Sequence, residues 1–404
     1  MPFLQRYSKL FSNKFVFPIS MVQMIRTLGR SQVWVFTPLY LLLIRHVPYE
    51  YIGILFFATA ILSVPFSLYG GNLIDSIGRR PLAVWLPLFG AFLLIVMLLG
   101  VGLDLSIFVV YLAFVFEGPV SSMEGILDNV VTTDSTNETE RLDAFSFIRI
   151  AANLGFAVGP AVGGFLSSIG YTWVFLFPAL LTFVEWGIYL KYIKETGKSK
   201  EVHRAKMEIP KSDRAFLIMA ILMGSIFFAS GQWGTTLTLF WSRFDLVSNP
   251  LIGILYSVNG LGVVLLQLPV NRLLDRVRST TRLSIGGLFY AFGFLILAFS
   301  SNFAFLVVDV VILTVGENVL TPAFYTIVSK MAPSERRGQY FGTFQLISGM
   351  IMPLAPVLGS VLLTYYLHSP LILWGIIFAI GATVSAVVYS YGPILRRSDR
   401  EGVN

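Results

Sequence analysis

The chain is built almost entirely from long apolar stretches, each about the length that crosses a bilayer, parted by short polar loops. Lipid gives backbone N–H and C=O groups no partner, so a lipid-embedded stretch of this kind has to be an α-helix. With about 20 predominantly apolar residues as the criterion, twelve stretches qualify. The first six fall at about 15–44, 50–75, 81–101, 105–131, 142–167 and 171–193. The second six fall at about 215–242, 249–275, 281–299, 304–331, 337–367 and 370–392. The pattern predicts an all-α membrane protein with twelve transmembrane helices. Only 13% of its residues are charged, against about 25% in a soluble domain.

A short polar signature occurs twice. Gly71-Asn72-Leu73-Ile74-Asp75-Ser76-Ile77-Gly78-Arg79-Arg80 lies between spans two and three, and Asn271-Arg272-Leu273-Leu274-Asp275-Arg276 between spans eight and nine. A duplicated loop 200 residues apart divides the chain into two similar six-helix bundles, residues 1–193 and 215–404 with its short tail. Between them, residues 194–214 alternate Lys with Glu and contain Pro210, the composition of a polar linker.

The basic residues set the orientation. Of 29 Lys and Arg, only Arg45 and Arg243 fall in odd-numbered loops, while Arg26, Arg30 and Arg149 lie inside spans. All the others sit in the N-terminus, the even-numbered loops, the linker or the C-terminal tail. Cytoplasmic loops are enriched in Lys and Arg, so both termini and the linker are expected in the cytoplasm. The net charge of +7 is spread among loops, which gives no single basic face for nucleic acid. With no cysteine, thiol chemistry and Cys-ligated metals are excluded. The three histidines, His46, His203 and His368, fall in loops and the linker, so the spans hold no His-based metal or nucleophile constellation.

In the loop signature, Asp75 ends a helix, Gly78 permits a tight turn, and Arg79 and Arg80 hold the loop in the cytosol. In the fifth span, Gly155, Gly159 and Gly163 recur every four residues and make a flat face for close helix packing. Pro160 removes a backbone donor there. The loop signature resembles that of the major facilitator superfamily, Gly-x-Leu-x-Asp-x-x-Gly-Arg-Arg/Lys. The second copy, centred on Asp275, departs from it at Asn271, Arg278 and Thr280. Gly155 to Gly164 fits Gly-x-x-x-Gly-Pro-x-x-Gly-Gly and resembles the signature of the family's drug:proton antiporter branch. The matching segment of span eleven, Pro356 to Ser360, is partial.

Charges inside membrane spans are costly and mark candidate functional sites. Glu117, Glu124 and Asp128 fall at i, i+7 and i+11 on one face of span four, and Arg26 and Arg30 at i, i+4 in span one. Glu317 of span ten lies 200 residues after Glu117. In the family, spans one, four, seven and ten line a central cavity, which implies that these charges meet there. Gln232 and Trp233 of span seven and Tyr256 and Asn259 of span eight are the candidate substrate contacts. Glu117, Glu124 or Glu317 is the candidate proton-coupling carboxylate, with Arg30 as its modulator. The competing reading makes Arg30–Glu117 and Arg149–Glu124 static ion pairs, and the sequence leaves both open. By the resemblance, Asp128 pairs with Arg79 and latches the outward-open state. Glu185 and Asp309 receive no role.

These expectations describe a secondary transporter of the plasma membrane, working by alternating access as a monomer. It uses no cofactor beyond a proton gradient and exports small amphipathic or drug-like compounds. The rivals are a proton-coupled importer of a sugar or organic anion, which Arg26, Arg30 and Arg149 would suit, and a membrane receptor or sensor.

Overall fold

The computed structural model describes residues 13–194, 209–333 and 336–401. The linker therefore lies largely outside the described residues. Among them every regular element is helical: α1 (Val16–Leu43), α2 (Tyr49–Ile77), α3 (Arg79–Gly102), α4 (Ile107–Asp134), α5 (Glu138–Ile169) and α6 (Tyr171–Tyr192). There follow α7 (Arg214–Ser230), α8 (Thr238–Arg243), α9 (Asn249–Leu273), α10 (Ser279–Ile296), α11 (Phe303–Met331), α12 (Arg337–Ile351), α13 (Leu354–Tyr366) and α14 (Pro370–Glu401). Eleven helical stretches are long and apolar enough to cross a membrane. The twelfth is α1, which has 28 residues but carries Gln23, Arg26, Thr27, Arg30, Ser31 and Gln32 in its middle. Its polarity is where the site is built.

Three expected spans are not single α-helices, the ninth because its last turn, Leu297–Phe299, is 3₁₀. Between α7 and α8 the ladder slips into a π-turn over Trp233–Leu237. There Leu237 N–H bonds the Gln232 carbonyl at 3.0 Å, and Thr238 Oγ1 donates to the Trp233 carbonyl at 3.1 Å. Such turns inside helices concentrate at functional positions. The eleventh span breaks at Met352–Pro353, because a proline lacks the N–H and crowds the preceding turn.

The helices form two compact units. Unit 1 takes Met1–Val47, Ala58–Arg204 and Ser248–Leu261; unit 2 takes Pro48–Phe57, Ala205–Val247 and Gly262–Asn404. In unit 1, α1 packs along α5 and α6, and α3 along α4 and α6. The glycines explain the first contact. A Cβ on Gly155 would stand 2.2 Å from the Met24 carbonyl oxygen, and one on Gly159 2.4 Å from that of Leu28. Only a bare backbone lets α5 approach α1 so closely. In unit 2, α10 packs on α11 and α14 and α7 on α12. Its core includes Trp374 stacked on Phe294 at 5.4 Å and edge-on to Phe240 at 5.1 Å. Large apolar side chains such as Trp85, Phe108 and Phe165 are exposed on unit 1, as lipid-facing positions require.

The loop signature depends on its glycine. Gly78 has φ 103°, which a side chain would strain, and the turn there lets α3 begin at Arg79 directly after α2 ends. The second copy differs: α9 ends at Leu273, so Asp275 lies in a turn rather than on a helix. Its nearest cation is Arg282 at 3.6 Å.

Candidate functional site

Three helices of unit 1 bring their polar residues together: α1 with Gln23, Arg26 and Arg30, α4 with Glu117, Glu124 and Asp128, and α6 with Glu185 and Tyr189. The i, i+4 spacing of Arg26 and Arg30 and the i, i+7, i+11 spacing in α4 put both sets on facing stripes. Arg26 is the hub. Its guanidinium contacts Glu185 Oε1 at 2.5 Å, Asp128 Oδ2 at 2.7 Å and Glu124 Oε2 at 3.4 Å. It also donates to the Tyr189 hydroxyl at 2.5 Å. That hydroxyl in turn donates to Asp128, which accepts a further hydrogen bond of 2.7 Å from Gln23 Nε2.

Arg30 extends the network. It bonds Glu124 and lies 2.6 Å from Glu117 Oε1, a contact outside hydrogen-bond alignment. Gly90 of α3 makes room, since a Cβ there would stand 3.2 Å from Arg30 Nη2. Arg26, Glu117, Glu124, Asp128 and Glu185 are all buried, and Glu124 and Glu185 wholly so. Two guanidiniums thus face four carboxyls. Burying charges costs free energy unless each is paired, so an excess of carboxyls leaves a standing demand for positive charge. A cavity of about 330 Å³ borders the network. Gln23, Arg26, Arg30 and Ser121 line its polar side, and Trp34 and Phe156 its aromatic side.

The structure separates several residues that the sequence grouped. Arg149 is exposed and does not meet Glu124, whose cations are Arg26 and Arg30. The buried stripe of α5 runs through Ala144, Ile148, Ala151 and Gly155, which leaves Arg149 about 100° off that stripe. Asp128 is not the partner of Arg79. Arg79 reaches Asp75 at 2.9 Å and Asp134 at 3.2 Å, while Asp128 belongs to Arg26. Asp134 is the last residue of α4, about 9 Å further along the helix axis than Asp128, where the loop signature lies. The sequence assigned no role to Glu185, Tyr189 or Asp134. A lone Glu within the apolar sixth span was the signal for the first, with Tyr189 one turn further on the same face.

The remaining candidates divide between the units. Tyr256 of α9 is wholly buried in unit 1, edge-on to Trp34 at 5.9 Å and to Phe156 at 6.3 Å, so it backs the aromatic side of the cavity. Asn259, one turn further on, is also buried. Gly164 and Pro160 hold this stretch of α9: a Cβ on Gly164 would stand 2.6 Å from the Asn249 carbonyl oxygen, and one on Gly253 2.2 Å from that of Pro160. Gln232 and Trp233 are buried within unit 2. Gln232 Oε1 accepts from Thr236 at 2.6 Å, and Gly359 lies against that pair as Gly163 lies against Gln32 in unit 1. Glu317 belongs to unit 2 and acts electrostatically on Tyr290.

An all-helical, multi-pass membrane protein with an open cavity beside a buried charge network in its N-terminal half is a transporter by class. The chain belongs to the Major Facilitator Superfamily, whose family model matches residues 19–246 and 244–402. It is 28% identical to the uncharacterized MFS-type transporter YttB of Bacillus subtilis (strain 168), over 61% of this chain and 64% of that relative. It is 25% identical to the tetracycline resistance protein, class B, of Escherichia coli, over 84% of each chain. It is 24% identical to a Na(+), Li(+), K(+)/H(+) antiporter of Planococcus maritimus, over 75% of this chain and 80% of the relative. Among solved structures, the nucleoside transporter NupG (D323A mutant) superimposes with TM-score 0.80 at 13% identity, covering 94% of this chain and 100% of that one. This likeness is one of fold. The protein is therefore a membrane transporter of small molecules rather than an enzyme.

Proposed function

We propose that the protein is a proton-coupled exporter of small amphipathic compounds, neutral or cationic rather than anionic, that works as a monomer by alternating access in the plasma membrane. Both termini lie in the cytoplasm in this reading, residues 1–193 and 215–404 being the moving bundles and 194–214 their linker. The carrying observation is the charge balance of the α1–α4–α6 network. Two buried guanidiniums against four buried carboxyls can be balanced by protons or by a cationic solute. Glu124 bridges Arg26 and Arg30, so a movement of α4 against α1 would release or capture a proton there. Trp34, Phe156 and Tyr256 supply an apolar wall for an amphipathic solute. The likeness to a tetracycline resistance protein and to a cation/proton antiporter supports the reading. Import of an organic anion fits less well, because Arg26 and Arg30 already face an excess of carboxylate.

The test is transport into liposomes across an imposed pH gradient. Cationic and neutral amphiphiles should accumulate against their gradient, with a proton moving the other way. Accumulation of carboxylates alone would overturn the proposal. On purified protein, cationic amphiphiles should raise the unfolding temperature.

A further inference from the structure

Gly125 lies inside α4, directly after Glu124 and one turn beyond Ser121. Glycine in a helix interior is disfavoured against alanine, so its presence there calls for a reason. The two common reasons fail. Its φ is not positive, so the backbone does not demand glycine. Nor does it permit a close contact, since a Cβ on Gly125 would meet nothing within 4 Å. The other glycine of α4 shows the contrast. A Cβ on Gly118 would stand 2.6 Å from Ser63 Oγ and 2.6 Å from Thr59 Cγ2, so Gly118 lets α4 close on α2.

The internal repeat removes a third reason. At the 200-residue offset that relates Asp75 to Asp275 and Glu117 to Glu317, position 125 corresponds to Tyr325 of α11. Tyr325 is 53% exposed and stacks on Phe341 at 6.2 Å, within an unbroken helix. A helix at this register therefore accepts a large side chain. What Gly125 does border is the cavity of about 330 Å³, together with Ser121, Arg30, Trp34 and Phe156. Glu124, about 100° round the helix, turns instead to the guanidiniums of Arg26 and Arg30. The cavity is at the small end of the range for small-molecule sites, about 300–1,000 Å³, so one side chain would take a large share of it.

The geometry points to Gly125 as the position that sets the girth of solute this cavity admits. Its bare backbone leaves room for the bulky apolar body of the solute, and a methyl group there would take that room while touching no ion pair. This inference rests on the proposed reading of the cavity as the solute site. It adds the property by which α4 selects among solutes, which is size and not charge.

The test uses the tetraalkylammonium ions from tetramethyl to tetrapentyl, cations of one charge and rising girth. The readout is the rise in unfolding temperature that each ion gives the purified full chain, converted to an affinity. Without ligand, Gly125→Ala should unfold at or above the wild-type temperature, because it gains helix propensity and meets no atom. Gly125→Leu should bind the largest ion that the wild type accepts about 10- to 100-fold more weakly, and the smallest as well as wild type. Gly125→Ala should fall between them. Gly187→Leu, whose position is open but does not line the cavity, should follow wild type throughout. Equal affinities for Gly125→Leu and wild type across the series would overturn the inference and leave the exporter reading in place. So would an equal loss for every ion, which reports a general disturbance and not a size limit, or a Gly125→Ala protein that unfolds well below wild type. A wild type that no member of the series stabilises would contradict the reading of the cavity as a site for cationic solutes, and the inference would fall with it.

Discussion

Arg26→Met removes the guanidinium at the centre of the network and keeps a stem of similar length. Arg26 holds Glu185 at 2.5 Å, Asp128 at 2.7 Å and Glu124 at 3.4 Å. Arg30 still covers Glu124, so Asp128 and Glu185 are left without a cation. Taking one partner from a buried ion pair costs about 3–5 kcal/mol. Gln23 and Tyr189 continue to donate to Asp128 and place the expected loss near the lower end, about 3 kcal/mol. That loss measures unpaired negative charge, so it is greatest at alkaline pH and shrinks as acid supplies protons. The assay is thermal unfolding in detergent followed by tryptophan fluorescence, with pH as the second variable. Arg26→Met should unfold several degrees below wild type at alkaline pH and approach it on acidification. Adding Glu185→Gln to Arg26→Met should recover about 1 kcal/mol or more, because one orphaned charge disappears. Equal unfolding temperatures at alkaline pH, or a deficit that widens on acidification, would refute the assignment of Arg26 as hub.

Gly159→Leu should cost about 1–3 kcal/mol and abolish transport, because its Cβ would meet Ser31 Oγ at 2.1 Å and the Leu28 backbone at 2.4 Å. Gly187→Leu, with nothing within 4 Å of its Cβ, is the control and should transport normally in the same liposome assay. Asp134→Asn should loosen the loop signature that Arg79 anchors, whereas Asp128→Asn should leave it in place. The natural chain has no cysteine, so thiol labelling of a Ser76→Cys protein reads this directly: faster labelling is expected with Asp134→Asn only.

Apolar length alone revealed the helices, because lipid allows a chain so few solutions. The charged positions of α1 and α4 were also legible as same-face spacings within one helix. Which charge meets which was not. Pairing between helices depends on how each is rotated and how closely it approaches, and neither is written in residue offsets. Arg149 sits in the right span but off its buried stripe. Asp128 and Asp134 sit on one helix and serve different cations. The break at Pro353 and the π-turn after Gln232 were not read from the sequence either: Pro38, Pro119 and Pro322 sit inside unbroken helices, so a proline by itself does not mark a break.

Proton coupling through Glu124 is tested most directly by comparing two modes of transport in liposomes with the Glu124→Gln protein. Exchange of labelled for unlabelled solute needs the alternating cycle but no net proton movement; accumulation driven by a pH gradient needs both. Retained exchange with lost pH-driven accumulation is the expected result. Full accumulation by Glu124→Gln, with protons still moving on solute addition, would contradict a coupling role for the α1–α4–α6 network at its central carboxylate.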